Sequence, residues 1–286
     1  MAIDVGSSRI KLGLFRNATG CTDKPQTLLP IAAPPLAQPE EFIAVPHRDR
    51  PVKVWLSEVR TTFEKFGIDQ SECEELACAV GSVHPPTLGD LQLGLKRAGV
   101  GPLQALTFDD LPLAIDVEFP EKVGIDRLLN AVAVNRLRPA HESAIVVDVG
   151  TAIKVDAVDA EGNFRGGAIL PGIRLASQSL HAGTASLPEV SLEIDGSAPP
   201  SVGRNTSAAI SAGLFWGAVG AIKELVLKAG EWLQDEGCGH ASKVYLTGGD
   251  SRHLREYLEL DGFDLRLEPA LTLSGIWAAI NKASES

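Results

Sequence analysis

The amino-acid sequence predicts a duplicated α/β fold, and three observations predict it. A short pattern occurs twice, as Ile3-Asp4-Val5-Gly6-Ser7-Ser8 and as Val147-Asp148-Val149-Gly150-Thr151-Ala152, with its two aspartates 144 positions apart. Each copy runs on into a second strand-like stretch, Arg9 to Phe15 and Ile153 to Val158, so each reads as a hairpin with an Asp-Val-Gly tip. Short apolar strands and amphipathic helices then alternate in both halves, the signature of parallel pairing in an α/β sheet. A tip of this kind offers a carboxylate, backbone N–H groups and hydroxyls together. Phosphate needs the donors and a hydrated Mg²⁺ needs the carboxylate. Two such tips suggest a nucleotide held between two domains, expected at 1–122 and 123–286.

The elements follow in order. Asn17 to Pro51 carries seven prolines and reads as irregular edge structure with short strands. Val52 to Phe66 is helical, because Val52, Trp55, Leu56, Val59 and Phe63 recur on one face. Leu76 to Val80 is an apolar strand ending at Gly81, Leu88 to Ala98 a helix, and Ala105 to Phe108 another strand. Ile125 to Leu137 is a helix with Leu128, Leu129, Val132 and Val134 on its apolar side, stopped by Pro139. Ser143 to Asp148 is apolar almost throughout and suits the middle of a sheet. Strands at Ile153–Val158 and Phe164–Leu170 follow, then a loop through Pro188 to Gly203, a helix from about Thr206, a strand ending in Thr247-Gly248-Gly249, and a last helix from Thr272.

Composition narrows the function. At 286 residues the chain is long enough for two domains with their own cores. A net charge of −11 argues against a nucleic-acid partner, which needs clustered Lys and Arg. The first strand carries Asp4 near its start, so no secretory signal is expected. The longest uncharged run, Thr206 to Ile222, falls short of a membrane span. Cys21, Cys73, Cys78 and Cys238 form no CxxC pair and the six histidines lack ligand spacing, so reduced, mostly buried thiols in a cytoplasmic protein are expected.

Five segments together resemble one family. "DVGTAIKVDAVDAEGNFRGGAILPGIRLASQSLHAGTASLP" (148–188) resembles the signature of type III pantothenate kinases; "PEKVGIDRLLN" (120–130) resembles their G-x-D-R helix start. "VGRNTSAAISAG" (202–213), "YLTGGD" (245–250) and "DVGSSRIKLGLF" (4–15) resemble three further motifs of that family, in the right order. The resemblance implies two ribonuclease-H-like domains with a nucleotide cleft between them. It implies an ATP-dependent kinase for the terminal hydroxyl of pantothenate, the first step towards coenzyme A. Mg²⁺, a monovalent cation (K⁺ or NH₄⁺) and a homodimer with the pantothenate pocket at its interface come with it. A non-catalytic dimeric paralogue of the same fold, and a related acyl or sugar kinase, are the competing readings.

The resemblance also assigns roles. Asp4, Val5, Gly6, Ser7, Ser8, Arg9, Ile10 and Lys11 would form the ATP-binding tip, with Asp4 holding Mg²⁺ through water and Thr151 a further ATP contact. Asp148 matches a carboxylate associated with the monovalent cation. Gly124, Ile125, Asp126, Arg127 and Thr206 would bind substrate, with Asp126 as general base and Arg127 gripping the pantothenate carboxylate. From the residues alone, Asp126 is as well explained as a helix-start carboxylate, and Thr206 as an N-cap. His84 and His181 read as structural, and Ala209, Gly213 and Gly217 as a flat helix face suited to close packing. Three positions depart from the family pattern: Ser7-Ser8 replaces Asn-Thr, Ile153-Lys154 replaces a pair of threonines, and Val117 and Phe119 stand where a tyrosine is common. Lys154 brings a fixed positive charge to the place where the resemblance implies a monovalent ion.

Overall fold

The computed structural model describes residues 1–16, 36–192 and 197–281. Cys21 and most of the proline-rich stretch expected to be irregular lie outside them. The backbone contacts divide the chain into two compact units: Met1–Leu113 with Phe119–Leu137 and Ala270–Ser286, and Ala114–Glu118 with Arg138–Pro269.

In the first unit, β1 (Ala2–Val5) and β2 (Arg9–Leu14) form the first hairpin and β3 (Glu41–Pro46) extends it. Helix α1 (Val52–Lys65), a short α2 (Gln70–Glu75), β4 (Cys78–Ser82), α3 (Pro85–Arg97) and β5 (Leu103–Ala105) follow. The sheet order is β3-β2-β1-β4-β5, antiparallel in its first two pairings and parallel in the last two. Its core gathers Ile3, Val5, Ile10 and Leu12 from the hairpin and Trp55, Val59, Leu91 and Leu95 from the helices.

The second unit repeats this plan. Strands β6 (Ser143–Val149), β7 (Ala152–Val158) and β8 (Phe164–Pro171) form a meander. Helices α5 (Ile173–Ala182) and α6 (Thr206–Asp235) follow, then β9 (Ala241–Thr247), a short α7 (Ser251–Leu254) and β10 (Asp264–Leu267). The order is β8-β7-β6-β9-β10, again antiparallel twice and then parallel twice. Identical order and strand sense in both sheets make the fold a duplicated α/β fold, as the twin tips predict.

The units do not divide at 122/123. Helix α4 (Ile125–Val134) and the last helix, α8 (Leu271–Ile280), both belong to the first unit. The physical reason is a shared apolar surface: Leu128, Leu129, Leu273 and Ile276 are fully buried there, and α8 also packs on β1 and β4. The two helix backbones nearly touch, since a Cβ at Gly275 would lie 2.0 Å from the Leu129 carbonyl oxygen. A buried hydrogen bond from the Thr272 hydroxyl to Asn130 Oδ1, 2.8 Å, fixes their register.

Helix α6 runs thirteen residues beyond the uncharged run and is long and apolar enough to cross a membrane by length and composition. It packs instead against β6, β7 and β9, burying Ile210, Phe215, Val219, Ile222, Val226 and Leu233. Cys78 and Cys238 are buried, and both are free thiols, as is Cys73. Burial pushes the Cys78 thiol up to about 11.

The α4–α8 contact yields the first prediction. Gly275→Ala should destabilise the protein by at least about 2 kcal/mol, since a backbone atom cannot yield as a side chain can. Gly89→Ala, where nothing lies within 4 Å of the new Cβ, should stabilise α3 by up to about 1 kcal/mol. Urea denaturation of both variants checks the pair; equal midpoints would refute the packing argument.

Candidate active site

The first tip is a tight loop. Val5 and Ile10 are the last paired residues of β1 and β2, and the Gly6 N–H donates to the Arg9 carbonyl at 3.0 Å. Val5 and Ile10 are fully buried, so only their backbone can serve a ligand, whereas Ser7 and Arg9 are exposed. Asp4 lies opposite Lys11 in the ladder, and Lys11 Nζ stands 3.2 Å from Asp4 Oδ2. A 7% exposed carboxylate is thereby matched by a cation.

Unit 1 brings the Gly124–Arg127 segment to the same rim. The Val83 N–H, just past β4, donates to the Val5 carbonyl at 3.1 Å. A Cβ on Gly124 would lie 3.7 Å from Val83 Cγ1, so the start of α4 sits beside the end of β1. Gly124 is the N-cap of α4 and offers no capping side chain. The Asp126 carboxylate folds back over it, with Oδ1 accepting the Arg127 N–H at 2.9 Å. Asp126 and Arg127 are both partly exposed. The arrangement serves helix capping and leaves the carboxylate reachable; the two readings of Asp126 are compatible.

The second unit carries its own tip. Here Val149 pairs with Ile153, and the Gly150 N–H donates to the Ala152 carbonyl at 3.1 Å, so this loop is one residue shorter than the first. Asp148 nevertheless lies opposite Lys154, whose Nζ is 2.8 Å from Asp148 Oδ2. Lys154 therefore holds the same register position as Lys11, an equivalence hidden in the sequence by the unequal loops. On the other side of Asp148 the ladder places Thr247, which is 1% exposed and whose hydroxyl has no hydrogen-bond partner.

Two glycines wall this tip with bare backbone. A Cβ on Gly172 would meet the Gly150 carbonyl oxygen at 2.1 Å, and the Gly172 N–H donates to the Thr151 carbonyl at 3.0 Å. Gly248, at φ +99°, would meet the Val149 carbonyl at 2.3 Å, and the Asp250 N–H bonds that carbonyl at 3.1 Å. The segments around Pro171-Gly172 and Thr247-Gly248-Gly249 thus converge on Asp148–Thr151. Thr206 begins α6 and is exposed; the N-cap is Asn205, whose Oδ1 accepts the Ala208 N–H at 2.9 Å. The Thr206 hydroxyl is accordingly not the cap.

Among the described residues no group of three or more His, Cys, Asp or Glu could hold a metal ion. A lone carboxylate such as Asp4 still suits Mg²⁺, which keeps several waters and binds through one or two carboxylates plus substrate phosphates. His84 caps α3, its Nδ1 accepting the Thr87 N–H at 3.3 Å, and His181 Nδ1 meets the Leu187 carbonyl at 2.6 Å.

A family model described as type III pantothenate kinase matches residues 1–228. The chain belongs to the type III pantothenate kinase family. A type III pantothenate kinase of Rubrobacter xylanophilus is 33% identical over 96% of this chain and 95% of its own length. One of Sphingopyxis alaskensis is 31% identical over 100% and 98%. Among solved structures, a protein described as a Baf family transcriptional activator from Campylobacter jejuni superposes with a TM-score of 0.53 at 18% identity, covering 98% of this chain and 97% of that one. That likeness concerns the fold alone. Family membership makes the hairpin tips and the Gly124–Arg127 segment the first places to look for chemistry.

Proposed function

We propose that this chain transfers the γ-phosphoryl group of ATP to the terminal hydroxyl of pantothenate, giving 4'-phosphopantothenate in the first step of coenzyme A biosynthesis. The observation that carries the reading is family membership over most of the chain, with the Asp4 tip and the Gly124-Ile125-Asp126-Arg127 helix start retained. Phosphoryl transfer asks a protein mainly to position the reactants and balance charge. Ser7, Ser8 and Arg9 offer N–H groups and hydroxyls to the phosphates beside the Lys11 ammonium, while the Gly6 N–H closes the loop onto the Arg9 carbonyl. Asp4 would hold Mg²⁺ through water, and the ion would supply charge neutralisation at the phosphate oxygens. In the second unit Thr151 offers a further phosphate contact. Asp126 takes the proton as the substrate oxygen attacks, Arg127 binds the pantothenate carboxylate, and ADP leaves. Cytoplasmic ATP and the free thiols of Cys73, Cys78 and Cys238 fit a cytoplasmic enzyme.

Turnover of pantothenate with ATP and Mg²⁺ tests this reading. Asp126→Asn should lower kcat by roughly 10² to 10⁴, the usual worth of a general base. That range equals about 3 to 5 kcal/mol at 1.36 per decade. Equal turnover by both proteins would remove Asp126 from the mechanism, and no turnover by the unmodified chain would overturn the function.

The monovalent cation is met here from within the chain. Lys154, 2.8 Å from Asp148, supplies a fixed charge where an ion would otherwise balance the carboxylate. Activity should therefore be unchanged when K⁺ and NH₄⁺ are replaced by a bulky organic cation. Lys154→Thr should make activity depend on K⁺ or NH₄⁺. Strict ion dependence of the unmodified protein would refute the substitution.

A homodimer is supported by α6. Ala209, Gly213, Gly217 and Gly220 are exposed along one side, and Cβ atoms at the three glycines would meet nothing within 4 Å. Trp216 and Leu227 are exposed apolar residues of the same helix. Such a surface lets a second helix approach closely, and with Thr206 at its start it suits a substrate pocket shared with a second copy. Light scattering should give twice the chain mass, and Gly217→Leu should shift it towards the monomer. A monomeric unmodified protein would end the proposal.

A further inference from the structure

The carbonyls of the first tip are held from one side, and His47 does most of the holding. His47 follows β3 and is only 6% exposed. Its Nε2 lies 2.8 Å from the Gly6 carbonyl oxygen. Its backbone N–H donates to the Ser8 carbonyl at 3.1 Å, and the Arg48 N–H reaches the same oxygen at 3.4 Å. A carbonyl accepts only, so Nε2 carries hydrogen in this contact. On the far side of the ring Nδ1 meets the buried Thr87 hydroxyl at 3.3 Å. Thr87 in turn is fixed by the first turn of α3, where its N–H donates to His84 Nδ1 at 3.3 Å. The His84 ring stands 5.4 Å from that of His47, and Trp55 closes the other flank at 6.3 Å.

This clamp has a directional consequence. In a planar trans peptide the C=O and the N–H of the next residue point opposite ways. Tying the Gly6 carbonyl to His47 therefore aims the Ser7 N–H away from His47, and tying the Ser8 carbonyl aims the Arg9 N–H away likewise. Gly6 has no Cβ to restrict its peptide, so without a partner the Gly6–Ser7 unit is free to turn over. An anion-binding loop works only when its N–H groups converge before the ligand arrives. We propose that His47 is a positioning residue for this reaction, acting through the Gly6 carbonyl to pre-set the donors of the first tip for the phosphates of ATP.

The proposal rests on the assignment of that tip to ATP, and the experiment separates the two. Steady-state kinetics are measured with ATP and with pantothenate varied in turn, beside thermal melting. His47→Leu should raise KM for ATP about tenfold, as expected when a buried carbonyl loses its donor, with KM for pantothenate unchanged. His47→Gln, whose amide N–H reaches to a similar distance, should restore most of the ATP affinity. Were the leucine variant not to fold, Thr87→Val would still release the ring and should raise KM for ATP about threefold. Ser7→Pro, which deletes the N–H that the clamp aims, reports on the tip itself. If it weakens ATP binding while His47→Leu and Thr87→Val do not, the positioning role is overturned and the tip assignment stands. If Ser7→Pro leaves KM for ATP unaltered, the tip assignment falls, and the positioning role with it. A loss of melting temperature in His47→Leu with both KM values unchanged would mark His47 as structural only.

Discussion

A carboxylate at the buried end of a central strand is costly unless a cation meets it, and this fold contains that problem twice. Asp4 and Asp148 sit at corresponding points of β1 and β6, 5% and 8% exposed. Each is answered by a lysine directly across the hairpin, Lys11 and Lys154. The energetics run in one direction. Removing one partner of a buried pair costs about 3–5 kcal/mol because the other charge is left uncompensated. The lysines therefore constrain the hairpin register as firmly as the hydrophobic pattern does. A one-residue slip would turn both strands' side chains to the wrong face and strand the aspartates. This explains how the two tips can differ in loop length and still present the same charged pair. The turn is free to change, because the ladder fixes the chemistry.

Close backbone approach is the second requirement, and glycine meets it differently in the two units. At the second tip, Gly172 and Gly248 press their peptide groups against residues 149–151, leaving no room for a Cβ. The walls are thus bare backbone, and the Gly172 and Asp250 N–H groups are spent on the carbonyls of residues 151 and 149, which holds those peptides in place. At the first tip the backbone is backed by a side chain, His47, whose ring fills the place taken elsewhere by a glycine segment. One duplicated architecture has reached the same end, a loop with fixed peptide orientations, by two local means.

The sequence showed the hairpins clearly because Asp-Val-Gly between β-branched stretches is a strong local signal, and duplication doubled it. Helices α1 and α4 were legible from their period, strands β6 and β8 and helix α6 from apolar or uncharged runs, and strand β7 as the second arm of its hairpin. Helix α5 was not foreseen: it buries only Ile173 and Ser177 and carries Arg174, Gln178 and His181, so its periodicity is weak. Strand β10 is a four-residue edge strand with no fully buried side chain, and its pattern is equally faint. The unit boundary was misleading for another reason. Helix α8 returns to the first unit from the far end of the chain, and no local pattern records which sheet an apolar helix will cover. His47 was invisible in principle. Its role depends on a carbonyl 41 positions away, and a solitary histidine after a proline carries no motif.

The Gly-x-Asp-Arg spacing has a geometric cause that unites the structural and catalytic readings of Asp126. A helix start needs acceptors for its unpaired N–H groups, and the N-cap residue usually provides one. Gly124 has no side chain to do so, and the Arg127 N–H is shared between the Gly124 carbonyl at 3.0 Å and Asp126 Oδ1 at 2.9 Å. The carboxylate lies close over residue 124, with Oδ1 2.7 Å from where a Cβ would be, so a larger residue there would require it to shift. Glycine two positions before the aspartate thus leaves that carboxylate undisturbed. One oxygen bound to the Arg127 N–H fixes the orientation of the carboxylate, and a carboxylate keeps further lone pairs for a substrate hydroxyl. A carboxylate tethered in this way gives up little freedom on meeting a ligand, which suits the proposed role of Asp126 as base. The helix start favours negative charge there as well. A hydrogen bond to the helix start therefore orients this carboxylate without consuming it, and the proposed role of Asp126 needs no rearrangement of the cap.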